Sequence, residues 1–377
     1  MTTPDVLIVG AGVIGSSIAY ELTKRGARVV LADQGQAGKK ASSAAAGMLG
    51  AQAEIDPASS LYSFAQSSKN QFPLLHKELK EQTGIDIELV QKGMIKLSRS
   101  EEEAKQLKKH LSLLPEQEQV SWVEAEEIAS YEPALSTVHT GGMWIPKDGH
   151  INAPMLSTAY THGASNLGAK LLEYTQIESF LVENGKLTGV MTNTGPIYCD
   201  HVVVAGGAWS ARLLKEAGVS LEAYPVKGEC FSVTMNQPLL QSTIFTEGCY
   251  IVPKKAGRLL VGATETAHTF NEKVTAKGIA YLMERAIELV PALQDAHWEK
   301  AWAGIRPQTI DALPYMDVHP RYSNLWIATG HYRNGILLSQ ATGTFMADLI
   351  EGTEVHEAWR TAFRLNRNQS FAGSEFN

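Results

Sequence analysis

The chain opens on Val6-Leu-Ile-Val-Gly-Ala-Gly-Val-Ile-Gly15, runs through Ala27-Arg-Val-Val-Leu-Ala32 and closes the unit on Asp33. An apolar run, a glycine turn, an amphipathic stretch and a second apolar run ending in an acid describe a strand, a helix and a parallel strand built for a dinucleotide. Gly10 permits the tight turn, Gly12 leaves the main chain bare for a pyrophosphate, and Gly15 lets the helix lie close on the sheet. The helix is expected over residues 13–24, with Ile14, Ile18 and Leu22 facing inward, Ala19 allowing close packing and Gly26 ending it. Its first turn, starting at Val13 and Ile14, offers N–H groups and a positive dipole end to phosphates. Asp33 is placed to accept hydrogen bonds from ribose hydroxyls. The unit suits the ADP half of either FAD or NAD and does not separate them.

At 377 residues the chain exceeds one ordinary core. A prior of roughly 150 residues per domain predicts two. The net charge is -7 and the lysines and arginines are scattered, which argues against a nucleic-acid partner. No apolar run approaches the roughly 20 residues a membrane span needs, and Met1 to Pro4 leads straight into the first strand; the expected compartment is the cytoplasm. Cys199, Cys230 and Cys249 lack paired spacing, so they read as reduced, buried thiols, with no disulfide frame and no metal site.

After Asp33 the chain passes through Ala41-Ser-Ser-Ala-Ala-Ala-Gly-Met-Leu-Gly50, a weakly polar run of mostly small residues suited to letting main chain approach something flat. A helical stretch is expected over 57–83, interrupted near Pro73, and Ser100-Glu-Glu-Glu103 reads as a capping box opening a helix to about Leu113. Short strands are expected at 87–90, 94–97 and 142–145. A helix over 153–167 precedes strands at 170–173, 176–182 and 187–191, with Asn184-Gly185 as the hairpin turn. His201-Val-Val-Val-Ala-Gly-Gly207 and Leu325-Trp-Ile-Ala-Thr-Gly330 are two further strands ending in glycine, the second opening a helix over 336–350. From 224 to 262 strand follows strand; a helix over 275–289 and a strand over 298–307 come next.

Further segments carry a family resemblance: Ser43 to Gly50, Pro225-Val-Lys-Gly-Glu-Cys230, Cys249-Tyr-Ile-Val-Pro253, Val261-Gly-Ala-Thr264, Trp302-Ala-Gly-Ile-Arg-Pro307 and Gly330-His-Tyr-Arg-Asn-Gly-Ile-Leu-Leu338. With the opening unit they make nearly the whole chain resemble the D-amino acid oxidase class of FAD oxidoreductases, and within it the glycine oxidases of bacterial thiamine biosynthesis. The resemblance implies an α/β fold. A Rossmann-type FAD-binding domain would be assembled from residues 1–85, 147–222 and 303–377, and an α+β substrate domain with a mainly antiparallel sheet from 86–146 and 223–302.

The same resemblance implies the site residues. Arg306 would grip a substrate carboxylate in a bidentate fork, Tyr250 would add a hydroxyl, and Arg333 is a second-rank contact. Gly10, Gly12, Val13, Ile14 and Gly15 would take the FAD pyrophosphate and Asp33 the ribose. Ser42, Ser43, Ala45, Ala46, Gly47 and Met48 would follow the flavin from phosphate to isoalloxazine. The Ile177 main chain would lie near adenine, Gly206 and Trp209 near the dinucleotide fold, and Arg333, Asn334, Gly335, Ile336 and Leu337 at the start of a helix facing flavin N1 and C2=O. No residue reads as an essential base: His331 reads as structural, and hydride transfer to flavin N5 from the neutral amine needs none.

The implied activity is oxidation of glycine to its imine and then glyoxylate and ammonia, with O2 reduced to H2O2, and with sarcosine and small D-amino acids as secondary substrates. FAD would be non-covalent, and the protein a homo-oligomer, with a tetramer expected. Asp33 stands where a longer glutamate is common, Glu265 where an apolar methionine is usual, and Gly248 where a histidine is. The last two leave substrate range open. An FAD dehydrogenase of an N-methyl or cyclic amino acid with another acceptor, and a non-catalytic nucleotide sensor, are the competing readings.

Overall fold

A computed structural model describes residues 3–367 of the chain. The chain divides into two compact units, the first Met1–Lys39, Ser157–Tyr224 and Pro307–Asn377, the second Lys40–Leu156 and Pro225–Arg306.

In the first unit the strand Val6–Val9 lies parallel between His201–Val204 and Val29–Ala32, with Ile8 opposite both Val203 and Leu31. Leu325–Thr329 and Lys170–Leu172 extend the sheet in parallel, and Tyr315–Val318 closes one edge antiparallel. The central strands are apolar along their whole length because both faces are covered; Leu7, Ile8, Val202, Val203 and Ile327 are all fully buried. The helix Val13–Lys24 forms where its pattern predicts, and Gly26 turns the chain away at φ +94°. It packs closely on the helix Gly335–Glu351: a Cβ on Gly343 would stand 2.9 Å from the Ser17 carbonyl oxygen. A separate antiparallel sheet joins Ile177–Glu183, Lys186–Thr192 and Gly195–Tyr198, and its first turn has positive φ at both Asn184 and Gly185.

The second unit holds a larger, mostly antiparallel sheet. Its order is Thr266–Ala267, Ala223–Thr234, Arg258–Gly262, Cys249–Pro253, Thr243–Thr246, Met94–Ser98, Gly141–Ile145 and Ser121–Val123, with His297–Thr309 paired to Ala223–Thr234. One neighbour pair, Thr243–Thr246 with Met94–Ser98, is parallel. The helix Ala276–Leu289 buries Leu282, Ala286 and Leu289 in the core that also holds Ile251 and Val261.

That helix is anchored by a polar joint. Thr275 Oγ1 accepts from the Gly278 amide at 3.1 Å, while Glu229 accepts from the Thr275 amide at 2.7 Å and pairs with Lys227 at 2.8 Å. Burial works to raise the Glu229 carboxyl, but Lys227 and Thr275 outweigh it and hold the pKa below its ordinary 4.5. The joint's electrostatic contribution is therefore complete above pH 4.5 and lost as pH falls through the depressed value. Thr275→Ala is expected to cost about 1–2 kcal/mol through loss of the cap. Urea melts at neutral pH check this, and the gap to wild type should narrow below pH 4.5.

Four sequence expectations change. Residues 40–85, 147–156 and 303–306 cluster with the second unit rather than with the nucleotide-binding pieces. The reason is bonding to the 86–146 piece: Val90 donates to the His150 carbonyl at 2.9 Å, Gly93 to that of Asp148 at 3.0 Å and Asn152 to that of Ile87 at 2.8 Å, while Lys96 caps the Ala53 carbonyl. The helix Ser60–Thr83 runs unbroken through Pro73, because Phe64, Phe72, Leu75 and Leu79 are buried on both sides of it and outweigh one missing N–H. Residues 87–90 form only a bridge from Val90 to His150 rather than a strand. The capping box is offset: Ser100 accepts from the Glu103 amide, but the Glu103 carboxylate reaches back to the amide of Arg99.

Candidate functional site

The nucleotide end of the first unit is shaped by close main-chain approach. Gly10 has φ +104°, and a Cβ there would stand 2.6 Å from the Ala205 oxygen and 2.9 Å from Cα of Gly206, so the turns after two neighbouring strands meet at these glycines. A Cβ on Gly15 would stand 1.9 Å from the Gly10 oxygen. Gly12 is the extended N-cap and places no side-chain cap on the first turn at Val13 and Ile14.

Asp33 holds this turn as well as facing its own loop. Oδ2 accepts from the Ala11 amide and Oδ1 from the Gly35 amide, both at 2.8 Å, which uses two of about four acceptor positions. The Asp33 carbonyl accepts from the Thr175 amide at 2.7 Å, which brings the chain leading to Ile177 to this end of the sheet. Trp209 is half-buried at the end of the short helix Gly207–Trp209.

The last strand leads through Gly330, at φ +84°, and the short helix Tyr332–Asn334 into Gly335–Glu351. Asn334 places no side-chain cap on that helix. Gly335 has an ordinary helical φ, and a Cβ on it would meet nothing nearer than the His331 Cβ at 3.7 Å. Packing within the described residues thus places no demand for glycine there. Ile336 and Leu337 are buried, whereas Arg333 is exposed with its guanidinium 5.9 Å from the Tyr332 ring. His331 is buried against Thr342 Oγ1 at 3.1 Å, and burial pushes its pKa down to about 3, so it is a neutral packing residue.

In the second unit the small-residue segment is clamped along its main chain. Ser42 and Ser43 lie half-buried in the short helix Ala41–Ala44; Ala45 leaves it extended, and Ala46, Gly47 at φ +83° and Met48 follow. Trp302 Nε1 donates to the Ala44 carbonyl at 3.0 Å, and Lys254 Nζ donates to that of Ala46 at 2.7 Å. Lys254 also reaches the Ile151 carbonyl at 2.9 Å and His150 Nδ1 at 3.2 Å, so three acceptors meet the three protons of an ammonium. Burial lowers its pKa to about 7, opposed by the attraction of Glu88. A Cβ on Gly47 would stand 2.1 Å from the Ile151 oxygen, so nothing larger fits. Neither clamp by Lys254 nor by Trp302 was legible in the sequence, since their partners are carbonyls that every residue possesses.

Arg306 and Tyr250 also belong to this unit, joined through the turn at Gly262 to Thr264. Tyr250 is opposite Gly262 in the sheet, and its hydroxyl lies 3.4 Å from Cys230 Sγ. A side chain on Gly262 would collide with both. Arg306 Nη1 donates to the Thr264 carbonyl at 3.3 Å, and a Cβ on Gly228 would stand 2.4 Å from Nη2. Among the described residues Arg306 has no acidic partner within 4.0 Å, so the structural ion pair that commonly explains such an arginine is missing. Glu265, next to Thr264, is exposed, and Gly248 turns a hairpin at φ +76° where a Cβ would stand 2.7 Å from the Tyr281 hydroxyl.

All three cysteines are free and buried, and burial holds Cys199 and Cys249 up to about 12 and raises Cys230. Among the described residues no cluster of side chains could hold a metal, and no helix is long and apolar enough to cross a membrane.

Residues 5–349 match the family model described as FAD dependent oxidoreductase. A glycine oxidase of Geobacillus kaustophilus (strain HTA426) is 48% identical over 96% of this chain and 95% of its own. The crystal structure of glycine oxidase from Geobacillus kaustophilus superposes with a TM-score of 0.94 at 46% identity, covering 98% of this chain and all of that one. A bifunctional protein ThiO/ThiG of Trichormus variabilis (strain ATCC 29413 / PCC 7937) is 35% identical over 92% of this chain, which spans 53% of that protein.

Proposed function

Because the chain belongs to the FAD-dependent oxidoreductase family, we propose that it oxidises glycine to its imine, which hydrolyses to glyoxylate and ammonia or feeds thiazole formation in thiamine synthesis. The observation that carries this reading is Arg306, a half-buried guanidinium with one long bond to a carbonyl and no acidic partner among the described residues. A partly desolvated cation of this kind calls for an anion, and a carboxylate matches its planar fork in two parallel bonds. Among the described residues one of its five N–H groups is engaged.

Tyr250 supports the same anion. Its hydroxyl lies 3.4 Å from the Cys230 thiol, which burial keeps protonated, and a phenol is chemically suited to hydrogen-bond a carboxylate oxygen. Gly228 and Gly262 let the Arg306 guanidinium and the Tyr250 hydroxyl lie against main chain, where any side chain would collide with them.

Gly10, Gly12, Val13, Ile14 and Gly15 would hold the pyrophosphate, Asp33 the ribose, and the Ile177 main chain the adenine, with Gly206 and Trp209 alongside. Ser42, Ser43, Ala45 to Met48 and Arg333 to Leu337 would line the flavin. FAD, held without a covalent link, would supply a two-electron acceptor for oxidation of the amino acid, with O2 as the final oxidant and H2O2 as its product. The protein's own share is orientation and charge matching; His331, its pKa pushed down to about 3 by burial and its ring bonded to Thr342, is a poor proton acceptor. A cytoplasmic homotetramer, with Arg333 as a second-rank substrate contact and sarcosine and small D-amino acids as further substrates, belongs to the same reading.

The experiment is direct. Glycine added anaerobically to the yellow protein is expected to bleach the flavin band, and air to restore it with release of H2O2. A spectrum that stays oxidised in glycine overturns the reading. Bleaching by a cyclic or N-methyl amino acid, with dye reduction and no H2O2, would mark a dehydrogenase instead.

A further inference from the structure

Two side chains beside the carboxylate grips are arranged around them in a repeated way. Arg306 and Trp302 lie on one strand, four residues apart, and therefore on the same face of it. Trp302 donates to the carbonyl of Ala44. Tyr250 lies in the strand Cys249–Pro253, and Lys254, four residues on, donates to the carbonyl of Ala46. Ala46, Tyr250 and Cys230 share one apolar cluster, and Met48 and Trp302 pack against it. The strand that carries Arg306 thus also carries a donor to the main chain of the segment read as lining the flavin, and the residue just past the end of Tyr250's strand is another.

We infer that Lys254 and Trp302 are positioning residues that hold the 44–48 main chain in fixed register with Arg306 and Tyr250, so that the substrate handle and the flavin-lining segment cannot shift independently. The inference rests on the proposed oxidase reading. Its physical basis is the number and direction of the clamps. The Ala44 and Ala46 carbonyls are capped from two different elements, and Gly47 is bonded to Ile151 besides, through its carbonyl. Lys254 draws in His150 and Ile151 through its remaining protons, which ties the segment's partner chain to the same point. Hydride transfer needs reacting atoms within a few tenths of an ångström of their best separation, so a small loosening acts on rate before it acts on binding.

The test compares Lys254→Met and Trp302→Phe, which remove the donors and keep most of the packing, with wild type reconstituted with FAD. Three quantities are read: the absorption spectrum of the bound flavin, the anaerobic flavin reduction rate at saturating glycine, and the glycine concentration giving half that rate. A shifted flavin spectrum and a rate lowered about 10- to 100-fold, with the half-saturating glycine within about threefold of wild type, are expected for each variant. A role confined to stability lowers the melting temperature and leaves spectrum and rate within twofold, and that result overturns the inference. If Lys254→Met fails to fold, Trp302→Phe decides on the same readouts. Wild type that binds FAD but is not bleached by glycine overturns the proposed activity alone, because the spectral comparison between wild type and variants still tests the clamps.

Discussion

Arg306→Ala weakens glycine binding by about 2–5 kcal/mol, the loss expected when one partner of a desolvated charge pair is removed and the carboxylate is left unmatched. That corresponds to roughly 30- to several-thousand-fold in apparent affinity. The cost should fall on binding rather than folding, because among the described residues the guanidinium makes one 3.3 Å bond, to the Thr264 carbonyl, and holds no acidic side chain in place. Arg306→Lys keeps the charge and loses the fork, so it should fall between the two. Anaerobic titration of flavin bleaching with glycine measures the affinity, and melting curves serve as the control. An unchanged glycine affinity in Arg306→Ala would remove this arginine from the substrate site and, with it, the main support for a carboxylate substrate.

Gly15→Val has the second-largest expected effect, and it acts on the cofactor instead. Its Cβ would stand 1.9 Å from the Gly10 carbonyl oxygen and 3.3 Å from Ile8 Cγ2. The oxygen cannot retreat cheaply, because Gly10 is itself pressed against Ala205 and Gly206. The helix Val13–Lys24 must therefore lift from the strand, which moves the first-turn amides away from where a pyrophosphate would meet them. Overpacking of this kind costs about 1–3 kcal/mol. Loss of the aligned helix end adds to it, so FAD retention should fall at least tenfold, or about 1.4 kcal/mol. Fluorescence titration of the apoprotein with FAD is the measurement. A variant that purifies yellow with wild-type FAD affinity would show that the close approach at Gly15 is dispensable.

How far the sequence reaches depends on what kind of interaction is at stake. The helix Val13–Lys24 and the hairpin at Asn184-Gly185 follow their local patterns closely because apolar periodicity and positive-φ preference are written residue by residue. The helix Ser60–Thr83 shows the limit of the same logic, since a proline that locally argues for a break is overruled by the apolar face that buries around it. Asp33 is an intermediate case. Its position after the second strand was legible, but its grip on the Ala11 and Gly35 amides was not, because that depends on which loop folds over it.

The amino-acid sequence by itself determined the nucleotide-binding unit, the order of its strands and helices, and the residue types able to bind a carboxylate. These follow from glycine geometry, apolar period and side-chain chemistry, all of which are properties of particular residues. Only the tertiary structure decided that residues 40–85 join the second unit, that Arg306 meets no acidic partner among the described residues, and that Lys254 and Trp302 clamp the segment at 44–46. Each of these depends on a main-chain carbonyl or on the lack of a neighbour. Carbonyls are the same at every position and absences leave no mark in a sequence, so the folded chain alone selects which donor meets which oxygen.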